Sequence, residues 1–289
     1  MRFTRLTPFS LIASSGLFFF TVILCSCGNQ AEDVNWLKED GSYCTPSASS
    51  RTDDCFIGPS APGEDLVITE TQDLDQICSS RCTKIRNLRV NSFEGLRDLR
   101  AFEGLTVQNS ALVSVNPDLE TTEGLRMADG TRARIETNPR LEEIVGFEAV
   151  QTSQGFELYG SPKIEDLDTF DSLEEIEGNT FRVQGTSISD MSVLDGVKFT
   201  DRAHFFLRLN DSLRSVPEIE GEGLSIQIEE NHSLTDVSGL EGLTNVGGLI
   251  VFSNKNLKTC HVKNVADQID FHEMAEVQIR RNASGSCSN

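Results

Sequence analysis

The chain is short of positive charge, of histidine, and of every residue pattern that ordinarily announces catalysis. Its 25 lysines and arginines stand against 45 acids, a formal charge of −20 over 289 residues. The first 26 residues carry Arg2 and Arg5 and no acid, so the remainder is near −22. A surface of that sign repels phosphate backbones and anionic headgroups, which argues against nucleic acid as a partner. Spread along the chain, the acids read as a solvated face that keeps the protein soluble. The four histidines, His204, His232, His261 and His272, show no HExxH or paired metal spacing, and His232 reads as a turn residue. No G-x-S-x-G elbow and no phosphate-binding glycine loop occurs. Asp166, Asp168 and Asp171 lack the glycine and closing glutamate of a calcium loop and read as a solvated edge. The single tryptophan, Trp36, reads as local packing rather than a ligand contact. No catalytic residue, metal or cofactor is therefore expected, and enzymatic activity is not the expectation.

What is present begins with a targeting segment. Arg2 and Arg5 precede an apolar stretch from Phe9 to Leu24, too short for a span of roughly 20 residues and followed by small residues. The segment closes on Leu24-Cys25-Ser26-Cys27. This resembles the bacterial lipoprotein signal, in which a leucine three residues upstream and a small residue just before the cysteine position it for lipid transfer and cleavage. The resemblance implies a signal peptide over 1–26 and a lipidated Cys27 as the first mature residue. Cys25 fits less well as acceptor, because bulky Leu24 precedes it. Gly28, rather than Asp, resembles the pattern for export to the outer membrane, which places the chain in the cell envelope, at the outer membrane or cell surface. An ordinary secretory signal with a spare cysteine is the alternative.

Residues 27–60 lack an apolar period and are rich in Asn, Gln, acid and the Thr45–Ser50 run, as expected of a flexible tether. Apart from Cys25 and Cys27, six cysteines remain, and an even number in an exported chain favours disulfides. Cys78 and Cys82 lack the second ligand pair a zinc site needs.

From 61 to 289 one unit recurs about ten times. Units open with two apolar residues two apart, followed by apolar residues at offsets eight and eleven, as in Phe156, Leu158, Ile164, Leu167 or Leu249, Val251, Leu257, Cys260; those opening at Leu105 and Phe181 fit with one residue deleted. Openings at Leu66, Leu88, Leu105, Ala133, Phe156, Phe181, Phe205, Ile226 and Leu249 lie 22, 17, 28, 23, 25, 24, 21 and 23 residues apart. A period in the twenties marks a solenoid whose coils bury apolar faces against one another. Alternation at the openings, as in Phe181-Arg182-Val183-Gln184, predicts short strands with one buried face. Steps of three after them, as in Ile164, Leu167, Phe170, Leu173 and Ile176, predict turns and 3₁₀ pieces rather than long helices. Asn138, Asn210, Asn231, Asn254 and Asn282 all fall five residues after an opening, which predicts a structural asparagine ladder that bonds turn backbone and occupies the left-handed corner. A short helix is expected within Val262–Ile269. Cys260 and Cys287 sit at offsets eleven and ten of adjacent coils and are expected to pair. Cys44, Cys55, Cys78 and Cys82 admit three pairings at the other end.

The stretch from Asn231-His232-Ser233-Leu234 through Ser238-Gly239-Leu240-Glu241-Gly242-Leu243 to Asn254-Lys255-Asn256-Leu257, closing at Cys260 and Asn282–Cys287, resembles the receptor L-domain family. These are irregular leucine-rich β-solenoids of receptor ectodomains and bacterial surface lipoproteins. The resemblance implies a mainly β, right-handed parallel β-solenoid with capped ends and a C-terminal capping helix. It also implies a binding or scaffold role with no catalytic residues to carry over. Two outward rows follow the strands: Arg134, Glu157, Arg182, Phe206, Gln227, Ile250, and Glu136, Tyr159, Gln184, Arg208, Glu229, Phe252. Arginines and aromatics of that kind suit a binding surface, so Arg134, Tyr159, Arg182, Phe206, Arg208, Ile250 and Phe252 are the candidate contacts for a protein or glycan partner at the cell surface. Bland strand packing, a purely structural envelope protein, and a β-helix polysaccharide lyase or hydrolase are the competing readings. Mixed acids and apolar residues on this face, with no clustered Asp in adjacent rows, tell against the last.

Overall fold

The computed structural model describes residues 52–58, 65–74, 77, 80, 82–200, 202–285 and 287. The chain divides into two units, 1–33 and 34–289, and every described residue belongs to the second. The signal segment, Cys27, Trp36, Cys44, Cys78 and most of the expected tether therefore lie outside the described residues.

The second unit is mainly β, and its principal strands form one open parallel sheet. In chain order they are β1 (Thr52–Ile57), β2 (Leu66–Ile68), β3 (Cys82–Asn91), β4 (Thr106–Ser114), β5 (Thr131–Glu136), β6 (Thr152–Tyr159), β7 (Glu175–Glu177) and β8 (Thr180–Gln184). They continue as β9 (Lys198–Thr200), β10 (His204–Arg208), β11 (Glu220–Gly221), β12 (Ser225–Glu229), β13 (Val246–Phe252) and β14 (Phe271–Arg280). The main path runs β1-β3-β4-β5-β6-β8-β10-β12-β13-β14, with β2 on β3, and β7, β9 and β11 forming a shorter ladder that branches from β6. Every ladder is parallel, so each coil adds one strand beside the last, consistent with a β-solenoid.

Register decides the core. Leu158, Val183, Leu207 and Ile228 lie directly side by side, as do Phe156, Phe181, Phe205 and Ile226. Both columns are buried, because alternate residues of a strand point to one face and parallel register stacks like on like. The phenylalanines form a continuous interior stack: successive rings of Phe156, Phe181 and Phe205 lie 5.8 Å apart centroid to centroid, and Phe147, Phe170 and Phe199 pack edgewise against them. The step-of-three residues Ile164, Leu167, Phe170, Leu173 and Ile176 are all buried. Short 3₁₀ turns occur at Arg100–Phe102, Asp168–Phe170, Ser192–Leu194 and Ser238–Leu240. Each follows an aspartate whose carboxylate accepts the N–H of the turn's first residue: Asp98, Asp166, Asp190 and Asp236. An Asp–apolar–X triplet is thus the local signal for these turns.

Four expectations need correction. The third unit opens at Ala111, not Leu105: Leu88, Ala111 and Ala133 are register partners, while Leu105-Thr106-Val107 belongs to an earlier part of the coil. Leu105 and Val107 mimic an opening by their own alternation, and small Ala111 is easily passed over. With Ala111 in place the irregular spacing vanishes, and Asn116 joins the asparagine ladder. Second, the left-handed corner is not the asparagine but the residue before it. Ser92, Val115, Thr137, Gly160, Gly185, Leu209, Glu230, Ser253 and Arg281 have φ between 54° and 68°. Third, Thr52–Ile57 is no tether: it is a strand beside β3, with Ile57 buried next to Ile85 and Cys55 joined to Cys82. So short a run, with a single aliphatic residue at its end, leaves no period to read. Fourth, the helix spans Thr259–Ala266, earlier than expected, with Val262 and Val265 facing the core.

The asparagines work as rungs. Each side-chain amide donates to a carbonyl of the preceding coil: Asn116 to Val90, Asn138 to Val113, Asn210 to Val183, Asn231 to Leu207, Asn254 to Ile228 and Asn282 to Val251. Each side-chain carbonyl accepts the backbone N–H at the ladder position of the preceding coil, from Phe93, Asn116, Thr186, Asn210, Asn231 and Asn254. A fully buried corner has no water to satisfy its backbone, so a side chain with both donor and acceptor is required. The coils opening at Phe156 and Phe181 break the pattern with Ser161, whose buried hydroxyl has no partner, and with Thr186, whose hydroxyl donates to the Asn210 side-chain carbonyl of the next coil.

Candidate partner-binding face

The outward side of the main sheet presents three parallel rows, because residues between the buried columns all point away from the core. In the middle row Arg134, Glu157, Arg182, Phe206, Gln227 and Ile250 are successive register partners. In the next row Glu136, Tyr159, Gln184, Arg208, Glu229 and Phe252 follow one another likewise. All seven candidate contact residues therefore share one face.

They do not form one uniform cluster. Arg134, Tyr159, Arg182 and Phe206 make a continuous line in which cations and rings alternate. The Arg134 guanidinium lies 5.3 Å from the Tyr159 ring centre and donates to its hydroxyl. The Arg182 guanidinium lies between two rings, 5.1 Å from Tyr159 and 4.7 Å from Phe206. Arg182 also donates to Gln184 and Arg134 to Glu136, the latter over 2.6 Å. These contacts hold flexible arginines flat against the sheet, so little side-chain freedom is left to lose on binding. Arg208 is instead tied to Glu230 at 3.0 Å. Phe252 stands apart, with the guanidiniums of Arg280 and Arg281 each 5.3 Å from its ring.

Beside Phe206 and Ile250 the face sinks into an open depression of about 330 Å³. His204, Ser225, Gln227 and Glu276 line it, and its far side is lowered by Gly247 and Gly248. The depression thus joins two half-buried apolar side chains to a ring of polar groups, a combination suited to an amphipathic partner group. Glu157, in the middle row, is buried and paired with Arg132 at 2.5 Å.

Sequence reasoning missed Arg132, Arg280, Arg281 and the lining residues His204, Gly248 and Glu276. Reading a third outward row, one residue before each opening, gives Arg132, Gly155, Thr180, His204, Ser225, Gly248 and Glu276 as neighbours. Carrying the rows into the last unit adds Gln278 and Arg280.

Elsewhere, the Asp236 carboxylate at the last 3₁₀ turn faces His261 of the C-terminal helix at 3.0 Å. Partial burial opposes its charge, but the Ser238 N–H and His261 outweigh that and hold its pKa below the ordinary aspartate value. Among the described residues no three His, Cys, Asp or Glu side chains converge as a metal group. Cys260 and Cys287 form a disulfide with a Cα separation of 5.9 Å. Among the described residues no helix is long and apolar enough to cross a membrane. Comparison of the chain with family models, with curated proteins and with solved structures yields no match.

Proposed function

We propose that this chain is a lipid-anchored recognition or scaffold protein of the cell envelope. In this reading its fold is a right-handed parallel β-solenoid of the receptor L-domain kind, and its outward face binds a protein or glycan partner. One observation carries the reading: the line Arg134–Tyr159–Arg182–Phe206, fixed in place by stacking and continuous with the apolar-floored depression at Ile250. Aromatic and arginine side chains held rigid on a flat face are the composition and state that productive interfaces favour. Anchoring rests on the Leu24–Cys27 segment, with Cys27 carrying the lipid at the outer membrane or cell surface.

Crosslinking on intact cells, followed by identification of the captured species, tests the binding face. Replacing Phe206, Arg208 and Phe252 with alanine should remove the captured partner while the purified variant keeps its thermal midpoint within a few degrees. An unchanged capture profile would end the proposal. Replacing Cys27 with serine should abolish incorporation of labelled fatty acid, and persisting label would refute the anchor. Turnover of a uronic-acid or neutral polysaccharide by the purified chain would point instead to an enzyme.

A further inference from the structure

The two core columns run buried through coil after coil and then surface abruptly at the last strand. Leu249 and Val251 are fully buried, whereas their register partner Val277 is 45% exposed and Ile279 is only partly covered. Met274, in the irregular stretch between Phe271 and Glu276, is 85% exposed. On the described residues β14 pairs with β13 alone, and past its irregular stretch the run Glu276–Arg280 lies in continuous register with Gly248–Phe252, so the far edge of that run has no strand partner. An edge of this length with apolar side chains is a template for another strand.

The residues along it identify which strand. About Gln278, β14 is self-complementary when it runs against a copy of itself. With Gln278 facing its own equivalent on a twofold axis, Val277 falls opposite Ile279 and Glu276 falls opposite Arg280. Directly opposed residues in an antiparallel pair point to the same side, and this register obeys that requirement. Val277 and Ile279 belong to the buried columns, while Glu276 and Arg280 belong to the outward rows. Both apolar columns would then continue across the axis, two Glu–Arg pairs would flank it on the outer face, and two Gln278 amides would meet at the centre. Shifting the register by two residues either way sets Glu276 or Arg280 opposite Gln278 and loses both ion pairs. Arg280 can turn toward the partner without stripping Phe252, because Arg281 also lies on that ring.

We propose that β14 pairs antiparallel, about a twofold axis at Gln278, with β14 of a second copy of this chain. The symmetry is closed, so assembly stops at two. This does not depend on the binding face described above.

The full chain, purified in mild detergent, should sediment as a concentration-dependent dimer. Introducing Val277→Lys should weaken dimerisation about tenfold or more, by setting a lysine against the partner's Ile279. Glu276→Arg should weaken it too, and Glu276→Arg combined with Arg280→Glu should restore it. Gln278→Cys should give a covalent dimer on mild oxidation, since opposed Cα atoms about 4.5–5.5 Å apart suit a disulfide. Arg280→Cys, about 13 Å from its equivalent in this register, should not exceed the background of the parent chain. A monomer at every concentration would overturn the proposal. So would a dimer indifferent to Val277→Lys, equal crosslinking through positions 278 and 280, or capture of a different protein's strand at β14 in place of a second copy.

Discussion

Nine successive coils place a left-handed residue at the same corner, and only two of them use glycine, Gly160 and Gly185. Thr137 occupies the corner one coil before Gly160 with φ 56° and is exposed. A β-branched residue in that conformation costs about 1–2 kcal/mol. Replacing Thr137 with glycine removes that strain, while glycine's greater freedom in the unfolded chain takes back about 0.5–1 kcal/mol. The net expectation is a stabilisation of about 0.5–1 kcal/mol. The reciprocal change, Gly185→Thr, meets no steric obstacle: a Cβ there would come no nearer than 3.7 Å to its nearest neighbour, the Gly160 nitrogen. Its cost is therefore conformational, and a destabilisation of similar size should follow. Urea unfolding reads both: with a slope of about 3 kcal/mol per molar, the midpoints should move in opposite directions by about 0.2–0.3 M. The slope itself should stay constant. A neutral Gly185→Thr, or a Thr137→Gly that lowers the midpoint, would show that the corner is not strained and that the argument from φ is mistaken.

Other positions give independent checks. Asn231→Ala strands the Leu207 carbonyl and the Asn210 N–H in a dry corner and should cost about 2–4 kcal/mol in equilibrium unfolding. A loss below about 1 kcal/mol would show that the rungs are incidental. Ser161→Asn should supply the missing rung and raise the thermal midpoint, whereas a drop would mean that this coil has closed around the smaller side chain. Phe181→Ala opens the middle of the phenylalanine stack and should cost about 3–5 kcal/mol by the same measurement. Asp236 has a lowered pKa in the folded state, so its contribution is present above the unfolded value near 3.8 and lost as pH falls through the folded one. Because Asp236 is nearly half exposed and screened by solvent, Asp236→Asn should reduce stability at neutral pH by only about 0.2–0.5 kcal/mol. That difference should vanish in acid, and a gap that widens there would contradict the assignment.

Much of this architecture can be read in the chain before any coordinates. The buried columns are legible because parallel register repeats the same demand in every coil, so Leu158, Val183 and Leu207 carry one message three times. Asn138 to Asn282 are legible for the same reason: a dry corner has few chemical solutions. What escapes is whatever happens once or is carried by backbone. Ala111 is an opening with almost no side chain to announce it. The left-handed corner accepts Ser, Val, Thr, Gly, Leu, Glu and Arg, because the neighbouring rung over-determines it, so no residue type marks it. Thr52–Ile57 is held by a disulfide and one buried isoleucine. On the candidate face, seven residues could be named from alternation alone. Their division into a stacked line, a depression and an isolated Phe252 depends on which side chains reach across strands, and a row of letters does not encode reach.

A stack whose layers touch only their neighbours ordinarily melts like a zipper, from its tips inward. Here each tip is riveted: Cys55–Cys82 fastens the opening strand to the one beside it, and Cys260–Cys287 fastens the closing segment to the helix behind it. Loosening of the outermost layers then cannot spread by peeling, and the weakest place moves to the interior, where Ser161 leaves a rung unfilled. Under a reductant the sites of first proteolytic cleavage should migrate from that interior seam to the two extremities.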